Sequence, residues 1–151
     1  MNLFRIRFTP DAAIGYLVVK PVRAMGWDAY AVRPGIDPRQ SEEEFLTPVL
    51  EERFRHASGE LAGIVGVVSE NLASGTLGGL SMGVLARATG VPDYDETSAD
   101  GGLLWSPEVV RQAHEQAKWN SGPEGDEPAL MHEARLFLDV CASEGLAIWF
   151  D

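Results

Sequence analysis

Apolar and polar positions alternate in two short stretches near the start of the chain. In residues 3–8, LFRIRF, Phe4, Ile6 and Phe8 fall on one side and Arg5 and Arg7 on the other, which predicts a half-buried strand with a solvated basic face. Residues 27–33, WDAYAVR, alternate again before Pro34 and Gly35, and predict a further short strand. Between them TPDAAIGYLVVKPV reads two ways. Thr9, Pro10 and Asp11 resemble a helix start, whereas GYLVVK is β-forming and bounded by Gly15 and Pro21; its second half is read as a strand.

The period then lengthens. Ser41 with Glu44 three residues on fits a capping box, and Phe45, Leu46, Val49, Leu50, Phe54 and Ala57 share one helical face. Pro48 requires either a kink or a restart with Thr47 as the cap, because an interior proline costs about 3 kcal/mol. His56 is expected to close this helix, and the apolar run from Leu61 to Ser69 is expected to be a buried strand. Residues 90–102 form a loop by composition, followed by the apolar run LLW. Ser106 and Pro107 are a cap and first-turn pair for a helix grouping Val109, Val110, Ala113 and Ala117. From Pro128 the clearest helix places Leu130, Ala134, Phe137, Leu138 and Cys141 together, stops near Gly145, and yields to a terminal strand, LAIWF. The expected fold is α+β: a single domain over residues 1–151, with a mixed sheet of about five strands that includes the C-terminal one, and three to four packed helices.

The stretch LASGTLGGLSMGVLARATG, residues 72–90, spaces Gly75, Gly79 and Gly83 four apart. It lacks the lysine of a P-loop and the spacing of a dinucleotide fingerprint. Three readings stay open. One is a loop through Gly79 followed by a helix from about Ser81, its cap, to Thr89, ended by Gly90. The second is a helix whose glycine ridge admits another backbone. The third is a backbone nest for an anion.

Composition adds constraints. The chain has 151 residues, 45% hydrophobic and 23% charged, as in an ordinary globular protein. Cys141 is the sole cysteine, so no internal disulfide forms, and a reducing, cytoplasmic setting is expected. The start MNLFRIRF does not resemble a secretory signal, and no stretch reaches the roughly 20 apolar residues of a membrane span. The net charge is −11 and unevenly spread. Residues 1–40 carry six basic and three acidic side chains, the remainder six basic and twenty acidic. That balance disfavours nucleic acid and suits a basic protein.

The chemistry-bearing residues give no positive site. His114 and His132 are each followed by Glu without the second histidine of a zinc helix. His132 falls with Arg135 and Asp139 opposite the core face, and His114 at the border of its helix's core face, where a half-buried ring with one hydrogen-bonded nitrogen is expected. In DYDETSAD, Asp93, Asp95 and Thr97 alternate as calcium ligands do, but Ser98 and Leu104 stand where the turn glycine and bidentate Glu belong. Cys141 lies on the core stripe and reads as an inert thiol. Trp105 and Trp149 read as core, Trp119 as a residue beside a surface or pocket. No metal or cofactor is called for. The leading expectation is therefore an acidic binding protein for a basic protein partner, of inhibitor, immunity or adaptor type, using Glu42, Glu43, Glu44, Asp93, Asp95, Glu96, Asp100 and Asp126. The alternative is an enzyme or small-molecule-binding domain with a pocket near residues 74–83, drawing on Gly75, Gly78, Gly79, His114 and Trp119. Self-association through the glycine face or the terminal strand is compatible with either.

Overall fold

The computed structural model describes residues 28–90, 103–119 and 128–151. The strands expected over residues 3–8 and in the second half of TPDAAIGYLVVKPV lie outside these. Among these residues nine elements follow in order: β1 (Ala29–Val32), α1 (Pro48–Val65), α2 (Glu70–Ala73), β2 (Thr76–Leu77), α3 (Gly79–Thr89), β3 (Leu103–Trp105), α4 (Pro107–Gln116), α5 (Pro128–Ser143) and β4 (Ala147–Phe150). The α+β class holds. Among the described residues the sheet has four strands, in the order β2-β1-β4-β3, and every pairing is antiparallel. Among the described residues it is thus not mixed, and the helices there number five, one of them a single turn.

β4 is one of the two interior strands, beside β1, and its residues, AIWF, are all apolar. It pairs Trp149 with Tyr30 and Ile148 with Ala31 on one side, and Ile148 with Trp105 on the other. Alternation sorts the side chains. Ala29, Ala31, Leu77, Ile148, Phe150 and Trp105 join the helical core, and the Trp105 and Phe150 rings meet edge to face at 4.7 Å. Tyr30 and Trp149 project to the other face, where their rings lie 5.4 Å apart and Phe45 closes on both. Trp149, expected in the core, is therefore half-buried in an aromatic cluster of its own, whereas Trp105 is buried.

α5 is the middle of the helical layer, touching α1, α3 and α4. Of its expected stripe, Ala134, Phe137, Leu138 and Cys141 are fully buried and Leu130 is half-buried, and Phe137 meets Phe54 of α1 at 5.9 Å. Gly145, at φ +69°, ends the helix region in the left-handed conformation and turns the chain into β4.

Two expectations about α1 need correction. Ser41 and Glu44 do not open a helix: Ser41 Oγ accepts from the amide of Glu43 at 3.0 Å within a turn. Thr47 is the cap, accepting from Leu50 N at 3.3 Å, with Pro48 in the first turn where its missing N–H costs nothing. The helix also does not stop at His56. It continues through Val65, taking in the first five of the residues read as a strand, and is capped by Gly66, φ +74°. An apolar run of this length has no period of its own to separate strand from helix, and the continued i, i+3, i+4 burial of Phe54, Ala57, Ser58 and Leu61 decides for helix. Ile64, Val67 and Val68 are left exposed.

The glycine stretch resolves as a turn followed by a helix. Gly75 has φ +77°, and a Cβ there would stand 2.6 Å from Leu46 Cδ1. Its carbonyl accepts from Ala31 N at 2.9 Å, fixing β1 beside the turn. α3 starts at Gly79, two residues before the expected Ser81, with Gly78 at the cap position and no side-chain cap. Ser81 is inside the helix and buried, and Gly90 ends it as expected, at φ +73°. Gly83 makes no close backbone approach; its nearest neighbour on the Cβ side is the Arg87 guanidinium at 3.6 Å.

Glycines 75 and 63 are expected to respond oppositely to alanine. Gly75→Ala combines a left-handed backbone with a clash against Leu46 and should destabilise by about 2–4 kcal/mol. Gly63→Ala, with nothing within 4 Å of the new methyl, should stabilise the monomeric fold by about 0.5–1 kcal/mol through helix propensity. Urea denaturation at low protein concentration checks both.

Candidate functional site

The most concentrated polar chemistry inside the fold is a buried carboxylate. Glu133 follows Leu130 by three positions and precedes Phe137 by four, so it lies on the edge of the apolar stripe of α5 and is only 9% exposed. Ser69 Oγ donates to its Oε2 and Ser81 Oγ to its Oε1. Ser69 also caps α2, accepting from Leu72 N at 3.0 Å, and its carbonyl accepts from the buried Ser58 Oγ of α1 at 2.9 Å. One carboxylate thereby connects α5 to α3 directly, and to α1 and α2 through Ser69. The sequence reading missed it, although the signal was present: a glutamate in phase with Leu130 and Phe137 requires hydroxyl or cationic partners from neighbouring helices. Ser81 is 3% exposed, so the arrangement acts as a lock between helices.

A second array lies on the surface across α4 and α5. His114 Nε2 donates to Asp139 Oδ1 at 2.9 Å, Arg135 Nη1 donates to Asp139 Oδ2 at 3.3 Å, and Arg135 Nη2 donates to His132 Nδ1 at 3.1 Å. His132, Arg135 and Asp139 group as their helical spacing predicts. His114 has its one bonded nitrogen but is exposed rather than half-buried. Trp119 is half-buried against the core. None of the hydrogen bonds among the described residues joins His114 or Trp119 to Gly75, Gly78 or Gly79, which stand in the turn between α2 and β2 and at the start of α3.

The acidic residues divide in two. Asp93, Asp95, Glu96, Asp100 and Asp126 lie outside the described residues. Glu42, Glu43 and Glu44 are consecutive and exposed on the segment leading into α1. Arg33 anchors that segment: its Nη2 donates to the Glu44 carbonyl at 2.7 Å and stands 3.7 Å from the Glu43 carboxylate. The Glu42 and Glu44 carboxylates have no partner among the described residues. Most cations here are engaged within the chain, Arg39 with Asp37, Arg53 with Glu144, Arg55 with Glu52 and Arg135 with Asp139. Glu60 and Glu70 are likewise exposed, with no partner among the described residues.

Among the described residues no cluster of three or more His, Cys, Asp or Glu is arranged to hold a metal ion, and no helix is long and apolar enough to cross a membrane. Cys141 is fully buried, and desolvation raises its thiol pKa well above the ordinary value. Compared with known protein families, curated proteins and solved structures, the chain matches none.

Removing the Glu133 side chain strands the buried hydroxyl of Ser81 and the half-buried one of Ser69. Glu133→Ala is expected to cost about 2–4 kcal/mol and Ser81→Ala about 1.5–3 kcal/mol, with Glu133→Gln milder than Glu133→Ala because its carbonyl still accepts. Their effects should be strongly non-additive in a denaturation cycle. Because reaction needs the exposed thiolate, a thiol reagent near neutral pH should label Cys141 only as fast as the protein opens.

Proposed function

We propose that this protein is a small acidic binding protein that presents exposed carboxylates to a basic protein partner, in an inhibitor, immunity or adaptor role within the cytoplasm. The observation that carries the reading is the imbalance of pairing. The described arginines are largely committed to intramolecular partners, while Glu42 and Glu44 stay unpaired on a segment that Arg33 holds in place. Carboxylates held this way keep their field directed outward and lose little ordering entropy on binding, which favours fast, charge-steered association. Asp93, Asp95, Glu96, Asp100 and Asp126 would extend the same acidic surface. A sole, buried cysteine suits a reducing compartment.

Affinity capture from native cell extract should retain a basic partner at low ionic strength and release it near 0.5 M salt, where the Debye length falls to about 4 Å. The triple variant Glu42→Gln, Glu43→Gln, Glu44→Gln should retain the fold yet lose most of that capture. A partner held equally at both salt concentrations, or held equally by the triple variant, would count against the reading.

A further inference from the structure

One face of the sheet packs on the helices, and the other carries a row of side chains that crosses all four strands. The register aligns Thr76 with Tyr30, Tyr30 with Trp149 and Trp149 with Leu104, a row about 14 Å long at three strand spacings. Phe45 closes on its two aromatic rings, while Leu104 at its end is 36% exposed. Phe45 directly follows Glu42, Glu43 and Glu44, so three exposed carboxylates flank the row. Glu42 and Glu44 have no partner among the described residues.

Three segments of the chain lie outside the described residues, and their charges differ. Residues 91–102 carry Asp93, Asp95, Glu96 and Asp100 with no basic side chain, and residues 120–127 carry Glu124, Asp126 and Glu127 with none. Either would set carboxylates against carboxylates. Residues 1–27 carry Arg5, Arg7, Lys20 and Arg23 against Asp11. Within them LFRIRF combines three alternating apolar side chains with two arginines, and as a strand its Phe4 to Phe8 span about 13 Å, the length of the row. We infer that residues 3–8 lie across the outer face of the sheet, with Phe4, Ile6 and Phe8 over the Tyr30, Trp149 and Leu104 row and Arg5 and Arg7 turned to Glu42 and Glu44 at its rim. Arginine stems lie along apolar surface while their heads reach out to charge. The 19 residues between Phe8 and Asp28 span at most about 65 Å, so reach is no obstacle, and the tether makes the encounter intramolecular. The contact is autoinhibitory, because the chain's own arginines hold the carboxylates that a basic partner has to displace them from. That masking rests on the reading of Glu42 to Glu44 as a partner surface; the docking does not.

The sole native cysteine is buried, so a nitroxide attached through Asn2→Cys labels one site in the full chain. It should broaden the Trp149 indole N–H and Leu104 amide resonances more than the amides of the buried stripe of α5. With nitroxide and isotope label on different copies, that broadening should vanish. Arg5→Gln with Arg7→Gln should reduce it at least twofold. The variant Phe4→Ser, Ile6→Ser, Phe8→Ser leaves the net charge alone, and should bind a hexa-arginine peptide at least threefold more tightly than wild type at low salt. Adding Glu42→Gln, Glu43→Gln and Glu44→Gln should abolish that gain. Absence of the selective broadening overturns the inference, as does equal broadening between copies, or a folded serine variant that binds the peptide no more tightly. The nitroxide measurement decides the docking whether or not the serine variant folds. Docking without any basic protein captured from extract sinks the partner reading alone; capture without docking sinks this inference alone.

Discussion

A carboxylate placed within an apolar helical layer must receive hydrogen bonds from whatever surrounds it, since an unpaired polar group there costs several kcal/mol. Glu133 receives its two from serines on different elements, Ser69 at the cap of α2 and Ser81 in the first turn of α3. This requirement restricts how the helices can be arranged. Leu and Phe stripes would tolerate several rotations of α3 against α5, because apolar contact is not directional. Two hydroxyls on one carboxylate tolerate far fewer. The short helix α2 exists within the same constraint: Ser69 satisfies Leu72 N as a cap while it donates to Glu133, so the four-residue helix is held from outside.

The sheet depends on this arrangement less directly. The turn at Gly75 lies between the element that Ser69 caps and the one that carries Ser81, and its carbonyl bonds Ala31 of β1. The glycine is needed there for two reasons at once, the positive φ and the proximity of Leu46. Behind the sheet, Tyr30, Phe45 and Trp149 cover the face that the helices do not. Phe45 is brought there by the segment that Arg33 holds, the same segment that displays Glu42 to Glu44. The acidic display and the closing of the aromatic cluster thus have a common anchor.

Along Glu42 to Glu44 the charges are of one sign and face water, which suits long-range attraction and offers little shape. Such attraction weakens as salt shortens the Debye length.

How much was legible in the sequence varies with the kind of physics involved. The α+β class, the caps at Ser106 and Gly90, the buried stripe of α5 and the terminal strand are all local or periodic, and the sequence by itself determined them; at Pro48 it left both a kink and a restart at Thr47 open. Exposure of Glu42 to Glu44 belongs in the same group, because three consecutive carboxylates have nowhere to be but in water. What local pattern cannot hold is the choice between structures of equal local merit. LAGIVGVV suits a buried strand as well as a helix; only the burial of Phe54, Ala57, Ser58 and Leu61 together decided for helix. Ser81 suits a cap as well as an interior position; only the proximity of Glu133 on a helix 52 positions away decided. The tertiary structure alone determined these, because both depend on desolvating groups distant in sequence, and the cost of an unpaired polar atom is felt only after the chain has closed around it.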